Sequence, residues 1–265
     1  MRPETEAAIR AAQAAQMLAK SRVGAAEITS KGGIDLVTAS DVACEDAIRD
    51  ELLRAFPEYA VIGEERGGSP IAGRPYWLVD PICGTRHFAS NIPLYCHNVA
   101  LVENGEVTAG AIGIGSSSEI LFAEKGKGGW IRTHDGERRL SVSDQSHAIW
   151  IDGGGHVADV VRQAILLGRW YVWMYSTTLS LAHLADGRIA GILHLGPPRK
   201  ERPGSVHFSA GCLVASEAGA IIMDLETGKP WDLLTRSYLL ASTPAMRDEL
   251  LKLVQMSGLD CRRGL

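Results

Sequence analysis

The chemistry legible in this chain rests on carboxylates and one glycine-threonine turn. Glu64 and Glu65 end the run "YAVIGEE", Asp80 closes "YWLVD", and Asp41 lies upstream at the end of "IDLVTASD". Short β-rich runs that end in carboxylates put those side chains at strand C-termini, where sheets present their chemistry. Together, Asp41, Glu64, Glu65 and Asp80 make a set of hard oxygen donors suited to Mg²⁺ or a similar divalent ion. In "VDPICGTRHF", Gly84 and Thr85 follow Asp80 and read as a turn opening a short helix. Its outward backbone N–H groups could bind a phosphate. A divalent ion beside a bound phosphate suits phosphoryl hydrolysis. One letter breaks the pattern: Cys83 stands where a second carboxylate would be expected.

The elements that must hold these residues can be read from periodicity. "MRPETEAAIRAAQAAQMLAKSR" reads as an amphipathic helix, and its charges at Glu4, Glu6, Arg10 and Lys20 are unlike a signal peptide. "IDLVTASD" is an apolar run ending in a turn, and "VACEDAIRDELLRAFP" has helical spacing up to Pro57. From Leu94 to Thr133 the chain reads as successive antiparallel strands, with "ENGE" as a hairpin signal. After Leu140 the pattern changes to strands alternating with helices such as "VADVVRQAILLG", "TTLSLAHLADG" and "SAGCLVASEAG". This divides the chain into an N-terminal α+β domain, 1–145, carrying the motifs, and a C-terminal α/β domain, 146–265, completing the site. "DGGGH", Asp152 to His156, lacks dinucleotide-site spacing and reads as a turn, and Trp170, Trp173 and Tyr175 read as core aromatics.

Bulk composition narrows the partners. A chain of 265 residues with 46% hydrophobic residues can bury a sizeable core, and a net charge of −4 with interspersed signs leaves no footprint for nucleic acid or anionic membranes. No window reaches the roughly 18 apolar residues of a membrane span. Five scattered cysteines form no disulfide framework and point to a reducing, cytoplasmic setting.

Taken in order and spacing, "DLVTASD", "IGEE", "WLVDPICGTRHF", "IPLYCHNVALV", "STTLSLAHLADGRIAG" and "HFSAGCLVASEAGA" resemble the inositol monophosphatase family across nearly the whole chain. The resemblance implies a layered α/β/α/β/α sandwich (α/β, α+β class), a homodimer, Mg²⁺ as cofactor, and hydrolysis of phosphate monoesters of inositols, sugars or nucleotides. It assigns Glu64, Asp80 and the Ile82 carbonyl to a first metal, Asp41 and Thr85 to the attacking water, and the Gly84 and Thr85 N–H groups to phosphate.

The same resemblance exposes the departures. The family's second metal site takes three aspartates, and here those positions read Asp80, Cys83 and His207, while a substrate-gripping glutamate is replaced by His194. Tyr175 stands in place of a glycine beside the substrate, followed by Ser176 and Thr177 in the segment that contacts substrate hydroxyls. In "PPRKERPG", Arg199, Lys200 and Arg202 could hold a second anionic group. Three readings of the replacements stay open. They rebuild the site for a softer ion such as zinc or iron, Cys and His being the ligands such ions prefer. They mark decay toward a protein that binds a phosphorylated small molecule. Or Cys83, activated by His207 or His194, is a nucleophile for other chemistry. Cys96 and His97 point opposite ways along one strand and read as packing.

Overall fold

A computed structural model describes residues 1–23, 28–32, 35–153, 157–196 and 205–259. The basic loop holding Arg199, Lys200 and Arg202, and the end of the "DGGGH" stretch, lie outside the described residues.

The first layer is a pair of helices. In α1 (Pro3–Arg22), Pro3 sits in the first turn, where its missing N–H costs nothing; Glu4 and Glu6 lie near the N-terminus and Lys20 and Arg22 near the C-terminus, complementing the helix dipole. Six of its nine buried residues are alanine, which lets the helix lie close to the sheet beneath. A Cβ added at Gly113 of that sheet would come within 3.1 Å of the Ala12 carbonyl oxygen. α2 (Ala39–Ala55) starts earlier than its apolar spacing implies. The Thr38 side chain accepts from the N–H groups of Ser40 and Asp41, and the Asp41 carboxylate accepts from the Thr38 N–H. The stretch expected as a turn is thus the first turn of the helix, held by a reciprocal cap worth about 1 kcal/mol.

Beneath lies a seven-stranded sheet. β3 (Ala60–Gly63) runs parallel to β4 (Tyr76–Cys83). The meander β5 (Cys96–Glu103), β6 (Glu106–Ile114), β7 (Ile120–Glu124), β8 (Gly129–Thr133) and β9 (Gly136–Arg139) follows antiparallel. The β5–β6 hairpin turns at Asn104 and Gly105, with φ of 52° and 80°, the left-handed pair that a two-residue hairpin requires. β1 (Ile28–Gly32) and β2 (Asp35–Thr38) form a separate two-stranded ribbon.

The second sheet has five strands in the order β11 (Tyr171–Trp173), β10 (Ala148–Gly153), β12 (Gly191–Leu195), β14 (Tyr238–Ala241), β13 (Ile221–Asp224). Helices α5 (Thr177–Ala185) and α6 (Ser205–Glu217) fill the space between the sheets; α4 (Val157–Leu167) and α7 (Pro244–Met256) cover the far face. Strand alternation sorts the residues. Leu78 and Ala100 from one sheet, and Trp150 and Ile192 from the other, meet Leu179 and Leu213 in the middle core. Trp77 and Val79 face α1 and α2, and Ile149, Ile151 and Leu193 face α4 and α7. The order is α/β/α/β/α, as the resemblance implies. Trp173 corrects one expectation: it is 51% exposed, because β11 is a three-residue edge strand with only one neighbour. Trp170 does pack against the outer core.

One irregularity sets up everything that follows. Along β4 and β5, Asp80 pairs with Asn98 and Cys83 with Cys96, so Pro81 and Ile82 together oppose the single residue His97. This is a β-bulge, the one place inside a sheet where a proline is easily tolerated. In a regular strand, residues three apart face opposite sides. The extra residue puts Asp80 and Cys83 on the same side, toward α6, and leaves Ile82 under α1 and α2. His97 pins the bulge from below: fully buried, its Nδ1 lies 2.5 Å from the Pro81 carbonyl oxygen. Burial lowers its pKa to about 4, so the ring is neutral and Nδ1–H donates. Replacing it removes that bond and leaves a cavity. We expect His97→Ala to lower the unfolding free energy by about 2–4 kcal/mol, read as a lower urea midpoint at unchanged m-value; an unmoved midpoint would show that the bulge stands without it.

Candidate active site

The C-terminal ends of the parallel strands β10, β11 and β12 lie on one edge of the second sheet, and α5 and α6 start from that edge. Their N-termini point at the bulge of β4. The Thr178 N–H, in the first turn of α5, donates to Cys83 Sγ at 3.5 Å. Asn98, next to the bulge on β5, donates to the Val206 carbonyl at the start of α6 at 2.5 Å. The crevice therefore carries the partial positive charge of two helix ends, a setting that suits an anion.

Within it, Asp80, Cys83 and His207 each offer a ligand atom, and these atoms all lie within 4.8 Å of one another. Asp80 is fully buried, whereas the His207 side chain is 39% exposed, so the group opens to solvent on the histidine side. His207 Nδ1 lies 2.6 Å from Asp80 Oδ2 and 3.8 Å from Glu64 Oε2. The other Asp80 oxygen, Oδ1, is buried with no hydrogen-bond partner among the described residues, an arrangement costing about 1–3 kcal/mol unless a cation or a proton relieves it. One carboxylate, one thiol and one imidazole around such an atom fit a borderline-soft divalent ion, Zn²⁺ or Fe²⁺, better than Mg²⁺.

Glu64 arrives from β3, its N–H donating to the Val79 carbonyl at 3.1 Å. The turn after it is held by a residue that the sequence reading passed over. Glu45, fully buried on α2, accepts from the N–H groups of Glu65 and Arg66 at 2.7 and 3.1 Å and from Arg49 at 2.9 Å. The i, i+4 spacing of Glu45 and Arg49 was a legible signal of pairing, but nothing local tied the pair to the Glu64 turn.

Across the site, the Thr85 hydroxyl lies 2.9 Å from Asp41 Oδ1 and 3.1 Å from the Ile82 carbonyl oxygen. Asp41 Oδ2 also accepts from the Thr38 N–H and hydroxyl at 2.8 and 2.6 Å. Burial nevertheless raises the Asp41 carboxyl, against the hydrogen bonds from Thr38 and Thr85, which strengthens it as a proton acceptor. Gly84 caps the short helix α3 (Thr85–Ala89) with φ of 103°. A Cβ there would meet the Leu94 carbonyl oxygen at 2.8 Å, so glycine is required for both reasons.

The other predicted residues make packing and capping contacts beside this group. The Tyr175 ring is buried in the middle core and its hydroxyl pairs with His183 Nδ1 at 2.7 Å. Ser176 is the N-cap of α5, and the Thr177 carbonyl accepts from Ser180. His194 stacks on Trp150 at 6.1 Å and meets Phe208 edge-on at 4.8 Å. Cys96 faces the middle core beside Cys83, and His97 the other side, as alternation predicts.

Electrostatics separates the readings of Cys83. The neighbouring Cys96 and burial push its thiol up to about 12, against the pull of His207. A nucleophilic cysteine needs the opposite shift, so this direction weighs against an activated thiol at Cys83. Burial raises the Asp80 carboxyl, while the adjacent His207 pulls it back down. His207 is opposed by burial, but the adjacent Asp80, with Cys83 and Glu64, raises it well above its ordinary value.

The inositol monophosphatase family profile matches residues 1–259. An inositol-1-monophosphatase of Mesorhizobium japonicum is 29% identical over 245 residues, spanning 86% of each chain. Inositol monophosphatase 1 of Solanum lycopersicum is 26% identical over 263 residues, spanning 93% of this chain and 92% of that protein. The crystal structure of the extragenic suppressor protein suhB of Bartonella henselae superposes with a TM-score of 0.84 at 24% identity, covering 96% of this chain and 99% of that one.

The raised His207 value has a testable sign. Below about pH 6.5 the unfolded histidine is protonated too, so the stabilisation by Asp80 is fully present. As the pH rises from there through the raised folded value, it is lost. In chelator, the stability advantage of the parent over His207→Gln should therefore be greatest below about pH 6.5 and shrink on going alkaline. A pH-independent difference in urea midpoint would rule out an imidazolium at this position.

Proposed function

This chain belongs to the inositol monophosphatase family, and on that footing we propose that it hydrolyses a small phosphate monoester by water attack at the bulge of β4, with a second metal position rebuilt for a softer ion. The observation that carries the reading is the convergence of Asp80, Cys83 and His207 around a buried carboxylate oxygen that no described residue satisfies. Glu64, Asp80 and the Ile82 carbonyl would hold the first ion, Mg²⁺; Asp80, Cys83 and His207 would hold the second, Zn²⁺ or Fe²⁺. Bound there, such ions supply acidification of a water and charge compensation at the leaving oxygen.

The remaining work falls to side chains and backbone. The Thr85 hydroxyl donates to Asp41, which leaves the threonine oxygen free to accept a hydrogen from the attacking water and aim its lone pair at phosphorus. Asp41, raised by burial and held by Thr38, is the sink for that proton. Gly84 and Thr85 N–H groups and the N-termini of α5 and α6 hold the phosphate oxygens. The same reading carries a homodimeric cytoplasmic protein acting on small molecules, with no nucleic-acid or membrane partner. Four buried cysteines, Cys44, Cys83, Cys96 and Cys212, are free, as in a reducing compartment; among the described residues no helix is long and apolar enough to cross a membrane.

The 2.6 Å contact between His207 and Asp80 favours one competing reading. A histidinium there neutralises Asp80 without a metal, as in a protein that binds a phosphorylated molecule and does not turn it over.

Metal content and turnover separate the two. Protein purified without chelator should carry zinc or iron in stoichiometric amount and lose it in Cys83→Ala. It should also hydrolyse members of a phosphomonoester panel faster with Zn²⁺ or Fe²⁺ added than with Mg²⁺ alone. Absence of bound metal together with absence of turnover under every ion would sink the hydrolase reading. Appearance of Mg²⁺-dependent activity only in the double variant Cys83→Asp, His207→Asp would identify decay.

A further inference from the structure

The first sheet divides the two sides of the reaction. Asp41 belongs to α2, on one face of that sheet, and the second sheet lies beyond the opposite face, across α5 and α6. In-line displacement at phosphorus sends the leaving oxygen away from the attacking one. With water held at Asp41 and Thr85, the alcohol departs toward the C-terminal edge of β10 and β12.

Asp152 stands on that edge. It lies two residues beyond Trp150 on β10, so both side chains face the same side. Trp150 is in the middle core, its Nε1 donating to the Tyr175 carbonyl at 3.2 Å just before α5 begins. Asp152 thus projects from the inner face past the end of the helical layer, into the crevice. Its register partner across the parallel ladder is His194 on β12, whose ring stacks on Trp150 and touches Phe208, the residue after His207. On the other wall, Arg86 of α3 follows Thr85 directly and is close enough to Asp152 for its charge to oppose the upward push of burial on the carboxyl.

We propose that Asp152 is a specificity-determining residue that accepts hydrogen bonds from hydroxyl groups of the leaving alcohol, so that the preferred substrate is the phosphate ester of a polyhydroxylated alcohol. The inference rests on the hydrolase reading above. Where the family resemblance expects a gripping glutamate, this chain has His194, which cannot act as a carboxylate acceptor; the carboxylate stands one strand over, on its ladder partner. Hydrogen bonds from neutral hydroxyls to a half-buried carboxylate are charge-assisted and directional. A phenyl ester has no such hydroxyls to offer.

The test compares the full-length metal-loaded parent with Asp152→Asn, which keeps the shape and removes the charge. The substrates are myo-inositol 1-phosphate, glycerol 2-phosphate and phenyl phosphate. Asp152→Asn should lose about tenfold or more in kcat/KM on the two polyol esters, mostly through KM, with phenyl phosphate changed less than about twofold. Equal loss on all three, or loss on none, overturns the assignment. If the parent hydrolyses no ester, the hydrolase reading has failed, and calorimetry decides the role of Asp152. Tighter binding of myo-inositol 1-phosphate than of inorganic phosphate, lost in Asp152→Asn, supports it. Equal affinities in the parent, or a preference kept by the variant, reject it.

Discussion

A single extra residue in β4 governs the chemistry of this protein. Without the bulge at Pro81 and Ile82, Asp80 and Cys83 would point to opposite faces of the sheet, and no metal or anion could meet both. With it, both face α6, while the Ile82 carbonyl turns toward Thr85 and Asp41. The bulge survives because Pro81 has no N–H to leave unpaired and because a neutral, buried His97 takes up its carbonyl. Two of the most buried polar residues near the site, His97 and Asn98, act on backbone: one holds the bulge, the other ties it to the start of α6. The first requirement of the site is therefore a rigid backbone, and the ligands follow from it.

The same geometry brings Cys83 and His207 together on Asp80. Asp80 is buried under two helix N-termini, which favour its ionised form, yet removed from water, which disfavours it. The family solution in the resemblance is more carboxylates and more hard ions. Here the neighbours are a thiol that Cys96 and burial push toward its neutral form and an imidazole that the carboxylate pulls toward its charged form. In that state the corner is close to electrically balanced by itself. A borderline-soft ion would displace the proton from His207 and generate the thiolate at Cys83 in one event, so metal binding and proton release are linked there. The Asp41–Thr85 pair, to which the proposal gives the attacking water, is built on a helix cap that owes nothing to these changes.

Much of this was legible along the chain. Carboxylates after β-rich runs located Glu64 and Asp80, and the alternation rule separated Cys96 from His97. The N-cap signal at Thr38 and Asp41 was present in "TASD" but was read as a turn, because the apolar spacing begins only at Val42. Trp173 was misassigned to the core since its type gives no notice of a sheet edge. Tyr175, read as a core aromatic at a position that the resemblance sets beside the substrate, is in the middle core, its hydroxyl paired with His183. The spacing of Glu45 and Arg49 signalled a pair, but nothing local tied Glu45 to the Glu64 turn that it holds, and Asp152 carried no local signal, its proposed role depending on a strand pairing remote in sequence.

By itself, the sequence determined the periodic elements and the identities of the donors, since these depend on side-chain type and on spacings of two and 3.6 residues; the five-layer order was implied by the family resemblance and not by any spacing. Only the tertiary structure decided that Asp80, Cys83 and His207 meet, with the first two separated from the third by more than a hundred residues, and that Asp152 and His194 share one wall. The physical reason is that a bulge and a strand order are set by long-range pairing. A one-residue change of register turns a side chain from one face to the other, and no local spacing records which register the folded sheet will adopt.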